Sequence, residues 1–356
     1  MRVALVGPPQ SGKSTLFAAV AEAGGSHVDL SRPDQPHLAV VKVPDERLVR
    51  LAEDYKPKKI VPAELEFLDL PGLDLSDQAG RNRAMAHWSA LRACDMLVFV
   101  VRGFEGPLVQ PYRGRVDPSG DVGELRAEML FADLDQVTTR INKLEQAIRK
   151  PTAKRDEQMR ELELMKRLAG NLEDARGIAD AITSQVEEKL IRSFAFLSLK
   201  PALAALNCSE DELAETASEQ LDSLDCIRLS AKIEEELAQL PPEDRGEFLA
   251  DLGLACPARD RLIQACYKAL DLVSFLTVGP VECRAWSIPA GTDAATAAGE
   301  IHTDMTRGFI RAETVAYEDY VAAGGMKSAK AAGKVRLEGK TYAVQDGDVI
   351  TFRFNV

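Results

Sequence analysis

The run VALVGPPQSGKST (residues 3–15) sets four apolar residues directly before Gly7-x-x-x-x-Gly12-Lys13-Ser14 and leads into the helix-forming stretch STLFAAVAEAG. Strand, glycine-rich turn and helix in that order make a phosphate cradle. The glycines let backbone N–H groups turn inward, and the helix N-terminus adds partial positive charge. The candidate nucleotide ligands of this run are Gly7, Pro8, Pro9, Gln10, Ser11, Gly12, Lys13, Ser14 and Thr15. Lys13 is the candidate catalytic cation for the β- and γ-phosphate oxygens, and the Ser14 hydroxyl is a candidate Mg²⁺ ligand.

A second element follows at LEFLDLPGL (residues 65–73). An apolar run ends on Asp69, and Gly72 completes D-x-x-G. Asp69 is the second candidate Mg²⁺ ligand, and the Gly72 amide is placed to report a γ-phosphate, so both join Lys13 as candidate catalytic groups. Farther on, SLKPALAALNCSEDEL (198–213) delivers Asn207 to the end of an apolar strand, three residues before Glu210. Switch GTPases read guanine at such a strand end with N-K-x-D. Asn207-Cys208-Ser209-Glu210 lacks the lysine and carries its carboxylate on a longer stem. An unmet buried donor costs about 1–3 kcal/mol, which penalises guanine, with its extra amino group, more than adenine. Ser230, Ala231 and Lys232, after another strand, supply the expected rim of the base pocket. A GTPase-shaped site leaning toward ATP is expected, with GTP as the alternative nucleotide.

The 356 residues suffice for two or three domains, and 46% hydrophobic and 28% charged content is that of a globular protein. A net charge of −12 argues against broad adhesion to nucleic acid or anionic membrane. Met1 runs straight into VALVG, no apolar stretch approaches the roughly 20 residues of a membrane span, and the six cysteines form no C-x-x-C pair. A cytoplasmic protein with reduced thiols and no membrane partner is expected. RVALVG, HLAVVKV, ELEFLDL and DMLVFVV alternate with helical stretches, as in a parallel α/β sheet. Leu130, Leu134, Val137, Ile141, Leu144 and Ile148 then recur at heptad spacing, Pro151 interrupts, and Leu162, Met165, Leu168 and Leu172 resume on a second helix. The expected organisation is a nucleotide-binding domain over 1–120 and 195–277, a helical coiled-coil insertion over 121–194, and a small α+β domain over 278–356. His302 reads as a turn residue.

With these motifs in place, the chain resembles the YchF/Obg-like ATPase family. The resemblance rests on N-x-x-E, on an insertion beginning near AEMLFADLDQV (127–137), and above all on residues 275–321 and GKVRLEGKTYAVQDGDVITFRFNV (333–356). It covers essentially the whole chain. It implies an α/β P-loop NTPase of the Ras-like G-domain type, an inserted helical hairpin, and a C-terminal β-grasp (TGS) domain. It also implies ATP-preferring hydrolysis and a ribosome or ribosomal subunit as partner. Three positions and one stretch depart from the family pattern. Gln10 replaces the P-loop Asn, and Pro33 stands where the first switch carries Thr. GLDLSDQAGRNRAMAHW (72–88) is shorter than the glycine-rich second switch. Pro111 in VQPYRGRVDP takes the place of a His.

Leu73 follows Gly72 where Ras-like GTPases place a water-orienting Gln, so slow hydrolysis of ATP, a divergent switch, is the first expectation. The alternative is a hydrolysis-poor nucleotide sensor that docks on ribosomes or RNA. A small-molecule kinase is a third reading, disfavoured by base-recognition motifs that belong to switch proteins. The charged tip IRKPTAKRDEQMRELELMKR (148–167) and the C-terminal cations Lys327, Lys330, Lys334, Arg336 and Lys340 are candidate RNA contacts.

Overall fold

The computed structural model describes residues 1–23, 25, 28, 31–32, 34–106, 109–149, 153–213, 219–241 and 243–355. Pro33 and Pro151 lie outside them. Among the described residues thirteen strands, β1 (Arg2–Val6), β2 (His37–Lys42), β3 (Lys59–Val61), β4 (Glu64–Asp69), β5 (Met96–Arg102), β6 (Ala202–Asn207), β7 (Glu219–Leu221), β8 (Leu224–Leu229), β9 (Leu272–Thr277), β10 (Glu282–Pro289), β11 (Phe309–Ala316), β12 (Arg336–Glu338) and β13 (Asp348–Phe354), form two sheets. The seven-stranded sheet has the order β2-β4-β1-β5-β6-β8-β7, and the six-stranded sheet β12-β11-β13-β9-β10-β3. The chain divides into two compact units, residues 1–39 with 66–259 and residues 40–65 with 260–356.

In the first unit β4, β1, β5, β6 and β8 run parallel, so their carboxyl ends share one edge. Their near-continuous apolar runs suit a sheet covered on both faces; all seven residues of β5 are buried. Helix α1 (Lys13–Ala23) follows β1, α2 (Glu46–Tyr55) lies in the second unit, and the short helices α3 (Gln78–Met85) and α4 (Trp88–Arg92) follow the D-x-x-G loop. Helix α5 (Pro118–Ala147) runs for 30 residues and serves two cores. Its first turns place Val122, Leu125 and Met129 in one apolar cluster with Val6, Leu97 and Phe99 of the sheet and Leu91 of α4. Beyond them Val137 and Leu144 pack with Leu162, Met165, Leu168 and Leu172 of α6 (Arg155–Glu173). Leu130, Leu134, Ile141 and Ile148 join that second cluster, so the heptad seam read from the sequence is the seam observed. Paired Arg140–Glu161 and Lys166–Glu145 ions flank it, each at 2.7 Å. Helix α7 (Gln185–Ile191) follows the hairpin, and α8 (Ala231–Gln239) follows β8.

The second unit begins earlier than the expected boundary at 278. Strand β9, assigned from sequence to the nucleotide domain, pairs antiparallel with β10 from Thr277↔Arg284 to Leu272↔Pro289. A short connection makes this hairpin the nearest hydrogen-bonding partner for β9. The segment 40–65 also belongs here: β3 pairs with β10, and Arg47 bridges to Asp346 at 2.7 Å. Phe275, Ile288, Phe309, Ile350 and Phe352 form the apolar core with the alanine-rich helix Ala294–Ile301. His302 caps the helix Thr303–Arg307, accepting from the Asp304 amide, the turn role expected of it. Among the described residues no helix is long and apolar enough to cross a membrane. Burial pushes the Cys94 thiol up to about 11, which suits an unreactive core residue.

Candidate functional site

The loop between β1 and α1 adopts two left-handed conformations, Gln10 at φ 63° and Gly12 at φ 86°. At Gly12 a side chain is excluded on two grounds: the backbone is left-handed, and a Cβ would lie 2.0 Å from Asn207 Nδ2. The close approach has a purpose. Asn207, at the end of β6, donates from Nδ2 to the Ser11 carbonyl oxygen and accepts at Oδ1 from the Ala231 amide, both at 2.9 Å. One buried side chain therefore stitches the phosphate loop, the base motif and the start of α8 together.

At the opposite end of the loop, Lys13 and Ser14 converge on Asp69. The Lys13 ammonium donates to Asp69 Oδ1 and to the Leu70 carbonyl, and the Ser14 hydroxyl donates to Asp69 Oδ2 at 2.8 Å. Lys13 and Asp69 are both about 95% buried. Burial pulls the Lys13 pKa below the ordinary lysine value, and the Asp69 carboxylate opposes that pull. The Leu73 amide donates to the Gly7 carbonyl at 2.9 Å, and a Cβ on Gly72 would meet the Pro9 backbone at 2.9 Å. D-x-x-G and the phosphate loop are thus in direct backbone contact. Leu73 itself is 2% exposed, in the same apolar cluster as Val6 and Leu70.

Gln10, Gly12, Thr15, Asn207, Cys208, Glu210, Ser230, Ala231 and Lys232 line one open cleft of about 550 Å³. These are residues that the sequence marked. Within the group the roles differ. Cys208 turns its thiol to the Leu229 carbonyl, and Ser230 caps α8. Lys232 is solvent-exposed beside Glu236 at 3.7 Å. Ser209 and Glu212 form a reciprocal cap on the short turn Glu210–Glu212, leaving the Glu210 carboxylate on the cleft wall. Gly7, Pro8, Pro9, Ser11, Lys13, Ser14, Asp69 and Gly72 are not among its lining residues.

Phe104, Glu105 and Val109 also line the cleft, and sequence reading missed them. Their signal was available: they follow β5, and ligands in open parallel sheets bind beyond the carboxyl ends of the strands. His87, at the start of α4, was missed too; burial and, secondarily, the Lys13 charge push its pKa below the usual histidine value. The oxygen pair Ser14 Oγ and Asp69 fits a magnesium ion, which takes one or two protein oxygens and completes its shell with phosphate and water. Among the described residues no group of three or more His, Cys, Asp or Glu side chains could hold a metal ion.

Comparison with known proteins matches this geometry to a family. A family model described as "50S ribosome-binding GTPase" matches residues 2–118, and the YchF C-terminal model, described as "Protein of unknown function (DUF933)", matches 272–355. The chain is 39% identical over 363 residues to the ribosome-binding ATPase YchF of Bacillus subtilis, covering 99% of this chain and 98% of that protein. The chain belongs to the YchF family. Another YchF relative, the Haemophilus influenzae ribosome-binding ATPase, is 38% identical over 99% of this chain and 98% of its own length. Obg-like ATPase 1 of Oryza sativa subsp. japonica is 34% identical over 100% of this chain and 92% of that protein. Among solved structures, the Schizosaccharomyces pombe YchF GTPase superposes with a TM-score of 0.85 at 28% identity, covering 99% of this chain and 97% of that one. The α/β P-loop domain and the YchF-type C-terminal domain expected from the sequence are those of the family.

Proposed function

We propose that this chain is a nucleotide-dependent switch that binds ATP with Mg²⁺, hydrolyses it slowly to ADP and phosphate, and acts at the ribosome in the cytoplasm. The observation that carries the nucleotide reading is the convergence of Lys13 and Ser14 on Asp69 beside a D-x-x-G loop. Ser14 and Asp69 are the candidate magnesium ligands, and a bound Mg²⁺ would neutralise phosphate charge. Lys13 is the chain's own cation for the same oxygens. The Gly72 amide is the candidate contact for the terminal phosphate.

The lean toward ATP has support in the base pocket. A guanine 6-oxo group needs a donor at the pocket rim, yet the Ala231 amide already donates to Asn207. Glu210, on the cleft wall, can accept from an exocyclic amino group of either base, so the lean rests on the Ala231 amide. The ribosomal role is carried from the relatives, whose names state ribosome binding. RNA contact through the C-terminal cations draws less support. Lys330, Lys334 and Arg336, three of the five, each lie within 4.0 Å of a carboxylate that offsets their charge.

Slow turnover follows from Leu73, which is apolar and sealed in the core and so cannot orient water. The same observation favours the second reading, a nucleotide sensor with negligible hydrolysis. Calorimetric titration with ATP and GTP analogues, with and without Mg²⁺, tests the nucleotide reading. A tenfold ATP preference, about 1.4 kcal/mol, supports it, and a GTP preference overturns the base assignment. Single-turnover hydrolysis with and without ribosomal subunits separates the two readings.

A further inference from the structure

The loop that follows D-x-x-G is held by two adjacent side chains from a different part of the chain. Leu75 lies three residues beyond Gly72 and is 1% exposed. Its amide donates to the Tyr112 hydroxyl at 2.9 Å, and its carbonyl accepts from Arg113 Nη2 at 2.8 Å. Both backbone groups of a single switch residue are therefore taken up by one dipeptide.

That dipeptide is anchored in turn to α5. Arg113 pairs with Glu124, and the neighbouring Arg115 pairs with Asp117, the N-cap of α5, and lies 3.8 Å from Asp121 in its first turn. One turn beyond Glu124, on the same helix face, Glu128 pairs with Arg81 of α3 at 3.0 Å. Two carboxylates four residues apart on α5 thus hold the switch loop, through Arg113, and the switch helix, through Arg81. Arg113 itself sits at φ 53°, a left-handed conformation that a side chain of its size rarely adopts. Strain of this kind persists where surrounding contacts over-determine it, and it gathers at switch regions. Here those contacts are Leu75, Glu124 and the Tyr112 ring, 5.6 Å from the guanidinium.

We propose that Tyr112 and Arg113 are positioning residues for nucleotide turnover, a latch through which the D-x-x-G loop and α5 move together. This rests on the nucleotide-switch reading above. The chain of contacts is short: phosphate loop Gly7 to Leu73, two residues along to Leu75, across to Tyr112 and Arg113, and into Glu124. Because α5 continues unbroken from the sheet face into the helical hairpin, a shift at its first turns is carried to the α5–α6 pair.

The test uses the full chain and three variants, Tyr112→Phe, Arg113→Gln and Glu124→Gln. Tyr112→Phe removes a single hydroxyl, and Glu124→Gln leaves every loop residue intact, so at least these two are expected to fold. Each is loaded with Mg²⁺ and either ADP or a non-hydrolysable ATP analogue; affinity, single-turnover rate and amide hydrogen exchange are then measured. In the unaltered protein, exchange at residues 73–77 and 118–130 should differ between ADP and analogue. Tyr112→Phe and Glu124→Gln should keep analogue affinity within about twofold, change the single-turnover rate about fivefold, and abolish the difference at 118–130, the scale expected for one hydrogen bond. Tight binding with no nucleotide-dependent exchange at 118–130 in the unaltered protein would overturn the latch alone. Variants that match the unaltered protein in both rate and exchange would do the same. Absence of binding to the unaltered protein would overturn the nucleotide reading itself, and the latch with it.

Discussion

Asn207 Nδ2 donates to the Ser11 carbonyl oxygen across 2.9 Å, tying the end of β6 to the phosphate loop 196 residues away in sequence. With the side chain 5% exposed, both of its bonds are shielded from water. Replacement by alanine leaves the Ala231 amide and the Ser11 carbonyl without this partner. Asn207→Ala should lose about 1–3 kcal/mol in urea denaturation for each buried group left unmet, and nucleotide affinity should fall with it. Unchanged stability and affinity would show the stitch to be dispensable.

Lys13 and Asp69 form a buried ion pair, and removal of one partner strands the other. Lys13→Ala should destabilise the nucleotide-free protein by about 3–5 kcal/mol, the usual cost of an uncompensated buried charge. Lys13→Ala with Asp69→Asn should recover part of that loss while remaining inactive. The readouts are denaturation midpoints and phosphate release, and a fully additive double variant would argue against coupling.

Gly72→Ala places a Cβ 2.9 Å from the Pro9 backbone, closer than real contacts allow. The D-x-x-G loop must then withdraw from the phosphate loop. Affinity for ATP analogues should drop more than affinity for ADP, since only the former carries the phosphate that Gly72 reports. Equal losses for both would place Gly72 outside γ-phosphate sensing.

Asp121, in the first turn of α5, is 3% exposed, and its pKa is raised to about 6. Desolvation is the main cause; Asp117 and Glu124 add to it, and Arg115 and Arg113 oppose it. An unfolded aspartate ionises near pH 3.9. Between about pH 4 and 6 the folded state therefore binds more protons, and this group's contribution to stability falls as pH rises through that window. Measured against Asp121→Asn, the unaltered protein should lose stability from pH 4 to 6.5. A parallel pair of pH curves would refute the assignment.

Leu168 of α6 is fully buried in the hairpin core. Leu168→Ala should cost about 2–5 kcal/mol by leaving a cavity. Because that cluster is separate from the sheet-face cluster, ATP-analogue affinity should stay near its original value; a large loss would mean that hairpin packing governs the nucleotide site.

Much of this molecule is written in local patterns. Gly7-x-x-x-x-Gly12-Lys13-Ser14 after an apolar strand marks a phosphate loop because the close backbone approaches at Gly7 and Gly12 leave no room for a Cβ, and the heptad from Leu130 to Ile148 fixes the α5–α6 seam by its period. Asn207 and Asp69 were legible as strand-end residues for the same reason. Their bonding was not. Whether Asn207 faces a base or stitches Ser11 to Ala231 depends on which strands are neighbours, and sheet order is a non-local property. β9 went to the six-stranded sheet because its hydrogen-bonding partner β10 lay just ahead, a competition that an apolar run cannot display alone. The union of 40–65 with 260–356, the approach of Phe104 to the base cleft, and the grip of Tyr112 and Arg113 on Leu75 are tertiary decisions of the same kind. Each joins residues that share no period and no motif, and only the packed chain brings them within bonding distance.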